Sequence, residues 1–277
     1  MNTLKIAIYN DEGVGLIGYQ SLLSSFVSKL QPFLSFSIQL YPINAQQIIN
    51  NHLILENFDA LIIGGGADLP YCQKLNGIGN QNIKNFIARG KLYIGICAGA
   101  YYGAKSVHFT GYDVKSGEKY NIIGERELRF FQGQAVGSIK EFTNNRYYDD
   151  SINSKAIVQL SSNNQPLFQP FYYHGGCYFI PDNNSEMDVL FYYPILKENK
   201  FLPAVISGKY GKGQYLLSGV HFELCDKVYQ TEIIDKITDS IELKKEQSIL
   251  NCLKQQNYGK VIYKDIAKLL DALNKGV

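Results

Sequence analysis

Along the first part of the chain the hydrophobic positions switch between continuous apolar runs and a three- to four-residue period, which predicts strands and helices in alternation. Residues 4–9 form an apolar run that ends at the turn Asn10-Asp11-Glu12-Gly13. Between residues 15 and 30, Leu16, Tyr19, Leu22, Leu23, Phe26, Val27 and Leu30 recur on one helical face. A strand over 36–41, a weaker helix over 45–55, a strand over 59–63, a helix within 76–89 closed by Gly90, and a strand over 92–96 follow. This alternation predicts an α/β fold, a three-layer, doubly wound, mostly parallel sheet that binds ligands beyond the carboxyl ends of its strands. By that rule residues 10–13, Gly64 to Asp68, and Cys97 line one crevice.

After a helical stretch at 98–105 the periodicity weakens. Residues 106–164 mix Gly, Asn and short aromatic runs such as Arg129-Phe130-Phe131 and Tyr147-Tyr148, and read as irregular hairpins and loops inserted into the fold. Residues 167–180 read as an aromatic strand pair broken at Gly175-Gly176, and 189–193 as a strand. Residues 204–207 and 214–220 read as a hairpin that delivers the chain to His221. Helical periods occupy 228–243, 246–255 and 263–273. The expected organisation is one α/β domain over 1–243 and a helical extension over 244–277, packed on it or on a partner subunit.

Composition narrows the function. Of 277 residues, 45% are hydrophobic and 19% charged, with net charge +2, which is ordinary for a globular protein. No basic run or helix is present, so nucleic acid is not an expected partner. The N-terminus lacks a signal peptide's apolar core, and no stretch reaches the roughly 18 apolar residues of a membrane span. A cytoplasmic protein with no membrane contact and a small-molecule substrate is expected, with homo-oligomer formation left open. The cysteines at 72, 97, 177, 225 and 252 have no CxxC spacing, which favours reduced thiols over disulfides or zinc. No metal or cofactor is expected.

The candidate chemistry centres on Gly95-Ile96-Cys97-Ala98-Gly99, where small residues flank a Cys between strand and helix. This is the pattern of a nucleophile elbow, in which helix N–H groups and the helix dipole favour a thiolate. A Cys nucleophile needs a base, and the base needs an orienting group. Of four histidines, His221 follows an apolar strand and has Glu223 two residues on, a spacing that lets a carboxylate orient the ring. His174, in Tyr173-His174-Gly175-Gly176, fits a substrate contact better than a base. His52 reads as a surface residue and His108 as a loop residue without a motif. The Ala98 N–H and the Gly65 and Gly66 amides are candidate oxyanion donors. The Gly64-Gly65-Gly66 triplet lacks the Lys-Ser/Thr of a phosphate loop and the GxGxxG spacing of a dinucleotide site.

Taken together, Cys97 in its elbow, the preceding glycine loop and His221-Phe222-Glu223 resemble the class I glutamine amidotransferase-like family. The runs Gly64 to Tyr71, Gly95 to Tyr102 and Ser218 to His221 are similar, more narrowly, to the amidotransferase-like N-terminal domain of biotin-protein ligases, which also occurs as stand-alone proteins. The resemblance implies a Cys97–His221–Glu223 triad. Glutamine-hydrolysing members usually carry Gln four residues after the Cys, where this chain has Tyr101, and many carry Pro where it has Phe222. No adenylate loop of a biotin ligase is found, so biotin ligation is not expected. The first reading is a Cys-dependent amidase or amidotransferase-like hydrolase, with Asp11, Glu12, Asp68, Tyr101 and His174 as candidates for substrate selection. A non-catalytic metabolite-binding or regulatory module is the alternative. A redox or glyoxalase-type Cys protein, using Glu12 as the acid beside the thiol, is a third.

Overall fold

The computed structural model describes residues 3–50, 52–162, 165–183, 185–195 and 198–275. The chain begins with β1 (Thr3–Tyr9), α1 (Leu16–Leu30), β2 (Ser37–Ile43), α2 (Ala45–Asn50), β3 (Ala60–Ile63), α3 (Asp68–Leu75), α4 (Ile78–Ala88), β4 (Leu92–Ile96) and α5 (Ala98–Gly103). It continues through β5 (Ala104–Tyr112), β6 (Lys119–Glu125), β7 (Phe131–Gly137), β8 (Lys155–Ser162), β9 (Gln165–His174), β10 (Tyr178–Pro181) and β11 (Asp188–Ile195). It closes with β12 (Lys200–Tyr210), β13 (Gly213–Ser218), α6 (Asp226–Glu232), α7 (Ser240–Leu253) and α8 (Lys260–Asn274).

The main sheet has the order β2-β1-β3-β4-β13-β12-β11-β8-β9. Its first five strands are parallel, and from β13 onward neighbours pair antiparallel. Every residue of β3 and β4 is buried, as expected of strands covered by helices on both faces. One face carries α1 and α8, where Leu22, Phe26, Leu30, Tyr263, Ile266 and Leu270 join the core. The other carries α2 to α5, with Tyr71, Ile83, Ile87 and Tyr102 buried. The strand order reverses between β1 and β3, so the switch-point crevice opens beyond their carboxyl ends.

The expected α/β architecture is therefore present, while several elements differ from the sequence reading. Residues 106–164 contain regular strands: β5, β6 and β7 join β10 in a second sheet of order β10-β7-β5-β6. On β6 exposed residues alternate with partly covered ones and none is fully buried, so its pattern lacks a core face. His108 is paired within β5, opposite Ile123 and Val136, rather than in a loop. The helix after Cys97 stops at Gly103. The two halves of 167–180 are not partners, since β9 pairs with β8 and β10 with β7. The stretch 228–243 divides into α6 and the start of α7, so the expected boundary at residue 243 falls inside a helix. Both α7 and α8 pack on the chain's own sheet and helices. The side chain of His52 lies outside the described residues. No described helix is long and apolar enough to cross a membrane.

Candidate active site

The elbow is built by contacts that only small residues permit. Cys97 adopts φ 50°, a left-handed conformation costly for a residue with a side chain and typical of functional turns. A Cβ on Gly99 would lie 1.9 Å from the Ile63 carbonyl oxygen, so α5 can start this close to β3 only with glycine there. The Gly99 N–H donates to the Gly64 carbonyl at 3.1 Å, and the Cys97 N–H to the Ser218 carbonyl at 2.8 Å. These bonds tie the turn to the ends of β3 and β13. The Ala98 N–H opens α5 and has no acceptor within the helix.

His221 arrives by the same logic from the far end of the chain. β13 runs parallel to β4, Ser218 pairs with Ile96, and three residues later the imidazole stands over the elbow. The backbone N–H of His221 donates to the Tyr172 carbonyl at 3.1 Å, and the Tyr258 hydroxyl donates to the His221 backbone carbonyl. The Nδ1–H donates to Glu223 Oε1 at 2.7 Å, and the Cys97 sulfur is a charge neighbour of the ring. Burial on its own would lower the basicity of His221; Glu223 and then the Cys97 sulfur overcome it and hold the ring well above the ordinary imidazole value. Glu223 is fully buried, and its Oε2 has no hydrogen-bond partner among the described residues. A buried carboxylate left half-satisfied costs about 1–3 kcal/mol. That cost makes sense where the charge serves a cation beside it. The Lys29 ammonium, bonded to the Leu224 carbonyl at 2.8 Å, adds positive charge behind Glu223.

The glycine loop closes the third side. A Cβ on Gly65 would lie 2.7 Å from His221 Cε1 and 3.4 Å from Cys97 Cβ, so this residue sits against both. The Gly65 carbonyl accepts from the Gly15 N–H at 2.8 Å and from the Tyr71 hydroxyl at 3.2 Å, which fixes the loop.

A cavity of about 630 Å³ opens over Cys97. Of the residues singled out from sequence, Cys97, Ala98, Gly65, Gly66, Asp68, Tyr101, His174 and His221 all line it. Glu223 lies behind His221. Asp11 and Glu12 do not line it, which corrects the expectation that residues 10–13 border the crevice. Asp11 accepts from the Ala45 N–H at 3.0 Å and so caps α2, while the exposed Glu12 pairs with Lys74 at 3.2 Å. Gly15 and Gly18 line the cavity instead, and Glu12 is no acid beside the thiol. Asp68 is held by Arg126 at 2.7 Å in a buried ion pair.

His174 differs sharply from His221. Its Nε2 bonds Ser154 Oγ at 3.0 Å, and its carbonyl accepts a long contact from Cys97 Sγ at 3.8 Å. Burial, with Lys155 and then His221 adding positive charge nearby, pushes it down to about 3, so it is neutral near pH 7. The sequence reading missed Lys155, Tyr172 and Tyr229 on the cavity wall, and Glu246 and Tyr258 behind it. Buried Glu246 on α7 accepts from Lys155 Nζ at 2.5 Å and from the Tyr229 hydroxyl. Period-two alternation in Phe171-Tyr172-Tyr173-His174 was the one usable signal, since it puts Tyr172 beside His174 on a single face. Among the described residues no group of three or more His, Cys, Asp or Glu could hold a metal ion, and all five cysteines are free.

The parallel run β2-β1-β3-β4-β13, covered by helices on both faces, is the class I glutamine amidotransferase-like fold. A glutamine amidotransferase of Thermotoga maritima has this architecture, superposing with a TM-score of 0.55 over 99% of both chains at 14% identity. Residues 4–266 match the family described as biotin-protein ligase, N terminal, and the chain belongs to that family. An uncharacterized protein of Chlamydia muridarum (strain MoPn / Nigg) is 28% identical over 265 residues, 95% of each chain. The biotin-protein ligase of Schizosaccharomyces pombe (strain 972 / ATCC 24843) is 30% identical over 259 residues, 90% of this chain, which spans only 38% of the ligase's length.

Proposed function

We propose that this chain is a Cys-dependent amidase or amidotransferase-like hydrolase acting on a carboxamide or related acyl carbon. One observation carries the reading: Cys97, bent into a left-handed turn, shares one cavity and one contact at Gly65 with an imidazole whose Nδ1 is held by a buried carboxylate. The Cys97 thiolate adds to the acyl carbon and forms a C–S bond, and the carbonyl electron pair moves onto oxygen. The Ala98 N–H and the Gly65 and Gly66 amides receive that oxyanion. Collapse breaks the C–N bond. His221 Nε2 gives its proton to the departing nitrogen, and ammonia or an amine leaves. The neutral ring then takes a proton from water, whose oxygen attacks the thioester; the C–S bond breaks, the acid departs, and thiolate and imidazolium are restored. Glu223 keeps the ring in one tautomer throughout.

The rival reading, a metabolite-binding module that hydrolyses nothing, draws on Tyr101. This ring is locked by donation to the Gly175 carbonyl at 3.0 Å, at the position where glutamine-hydrolysing relatives carry a side chain that helps hold glutamine. A panel of carboxamides assayed for ammonia, with mass spectrometry of the Cys97 peptide, separates the two. Ammonia release that disappears in Cys97→Ala, together with an acyl adduct on Cys97, supports the hydrolase. Saturable ligand binding with neither product supports the module.

A further inference from the structure

One side of the cavity carries a run of neighbouring aromatic rings. Tyr120 and Phe109 have ring centroids 6.2 Å apart, Phe109 and Tyr148 5.7 Å, Tyr148 and His174 4.7 Å, and Tyr172 and His221 5.6 Å. His174 and Tyr172, 6.2 Å apart, close the chain, so the wall runs from Tyr120 on β6 to the imidazole over Cys97. Tyr101 meets Phe109 edge-on at 5.7 Å and widens it. Because His174 is held neutral, the wall carries no charge until it reaches His221.

The charged residues around it are already engaged by the protein. Asp68 is paired with Arg126, Lys155 with Glu246 and Lys236 with Glu232, and Asp150 accepts from the Tyr148 hydroxyl at 3.0 Å. The carboxylate of a free amino acid amide would enter this space without a free cation to meet it, since Lys155 and Lys236 are already paired, at a desolvation cost. A volume of about 630 Å³ also exceeds what a two- or three-carbon amide fills, and lies within the range of ring-bearing ligands.

Resting on the proposed amide hydrolysis, we infer that the substrate is a carboxamide of an uncharged aryl or heteroaryl group, whose ring stacks on the Phe109, Tyr148 and Tyr172 wall while the amide carbon reaches Cys97. Flat rings gain offset and edge contacts with such a wall that aliphatic chains lack.

The test is protection of Cys97 from iodoacetamide by benzamide, nicotinamide, hexanamide and glutamine, each as a concentration series. The two aryl amides should protect at concentrations about tenfold lower than hexanamide or glutamine, the ratio expected of one well-packed ring. Phe109→Ala should weaken aryl protection about tenfold and reduce the aryl preference. Tyr120→Leu, a milder change at the half-buried end of the wall, should weaken it two- to threefold, so the test survives if the first variant folds poorly. Equal or better protection by hexanamide or glutamine would overturn the inference and leave the hydrolase reading intact. Aryl protection without ammonia release or acyl adduct would uphold the ligand class and remove the hydrolase.

Discussion

Two histidines border the same sulfur, and the contrast between their surroundings shows how this cavity assigns roles. Burial lowers the basicity of both. What differs is the charge beside each ring: Glu223, with the sulfur, for His221, and Lys155, with His221, for His174. One ring is kept protonated and the other neutral. A protonated ring and a neutral one thus stand around one sulfur, distinguished by a carboxylate on one side and an ammonium on the other.

The contrast extends to folding stability, with opposite signs. His221 has a raised value in the folded state, so its contribution is complete below pH 6.5 and fades as pH rises through that raised value. His174, at about 3 when folded against 6.5 when unfolded, takes up a proton on unfolding, and its contribution is lost as pH falls from 6.5 toward 3.

Breaking the chemistry outright should give the largest effect. Cys97→Ala should reduce ammonia release at least ~10⁴-fold in a steady-state assay with little change in Tm. Next comes Lys155→Met, which strands the buried Glu246 and should cost about 3–5 kcal/mol in urea unfolding. The same variant should let His174 rise toward its ordinary value, which NMR titration reads. Glu223→Gln removes the larger of the two charges that together overcome burial at His221. It should slow turnover at least ~100-fold and lower the His221 titration, moving that ring toward His174. If NMR found the His221 titration unmoved in that variant, the contrast would be wrong in its cause. The smallest effect belongs to His174→Asn, which should leave turnover within a few-fold. By removing a ring that must charge on unfolding, it should spare about 1–2 kcal/mol of the stability lost between about pH 6.5 and pH 5.

The His221 side of this comparison was legible from sequence, and the His174 side only in part. β3 and β4 are short apolar runs, β1 is such a run except at Thr3 and Lys5, and a left-handed Cys needs the small neighbours that Gly95-Ile96-Cys97-Ala98-Gly99 displays. His221 and Glu223 lie two residues apart after a strand, so local spacing carries their relation. The wall does not work that way. Phe109, Tyr120, Tyr148 and Tyr172 come from four separated segments, one on β6, where no position is fully buried; the pairing of β5 with β6 joins the first two, a bridge from Gly111 to Tyr148 adds the third, and β9, paired with β8, carries the fourth. Asp11 and Glu12 show the opposite error. They follow a strand end, as the crevice rule asks, yet a helix cap and a surface ion pair claim them.

The most direct test is the rate of Cys97 alkylation by iodoacetamide across pH, in the parent chain and in His221→Ala. At neutral pH the parent should be alkylated clearly faster than the variant, and the two rate-versus-pH curves should differ in shape. Two superimposable curves would mean that the imidazole does not activate the thiol.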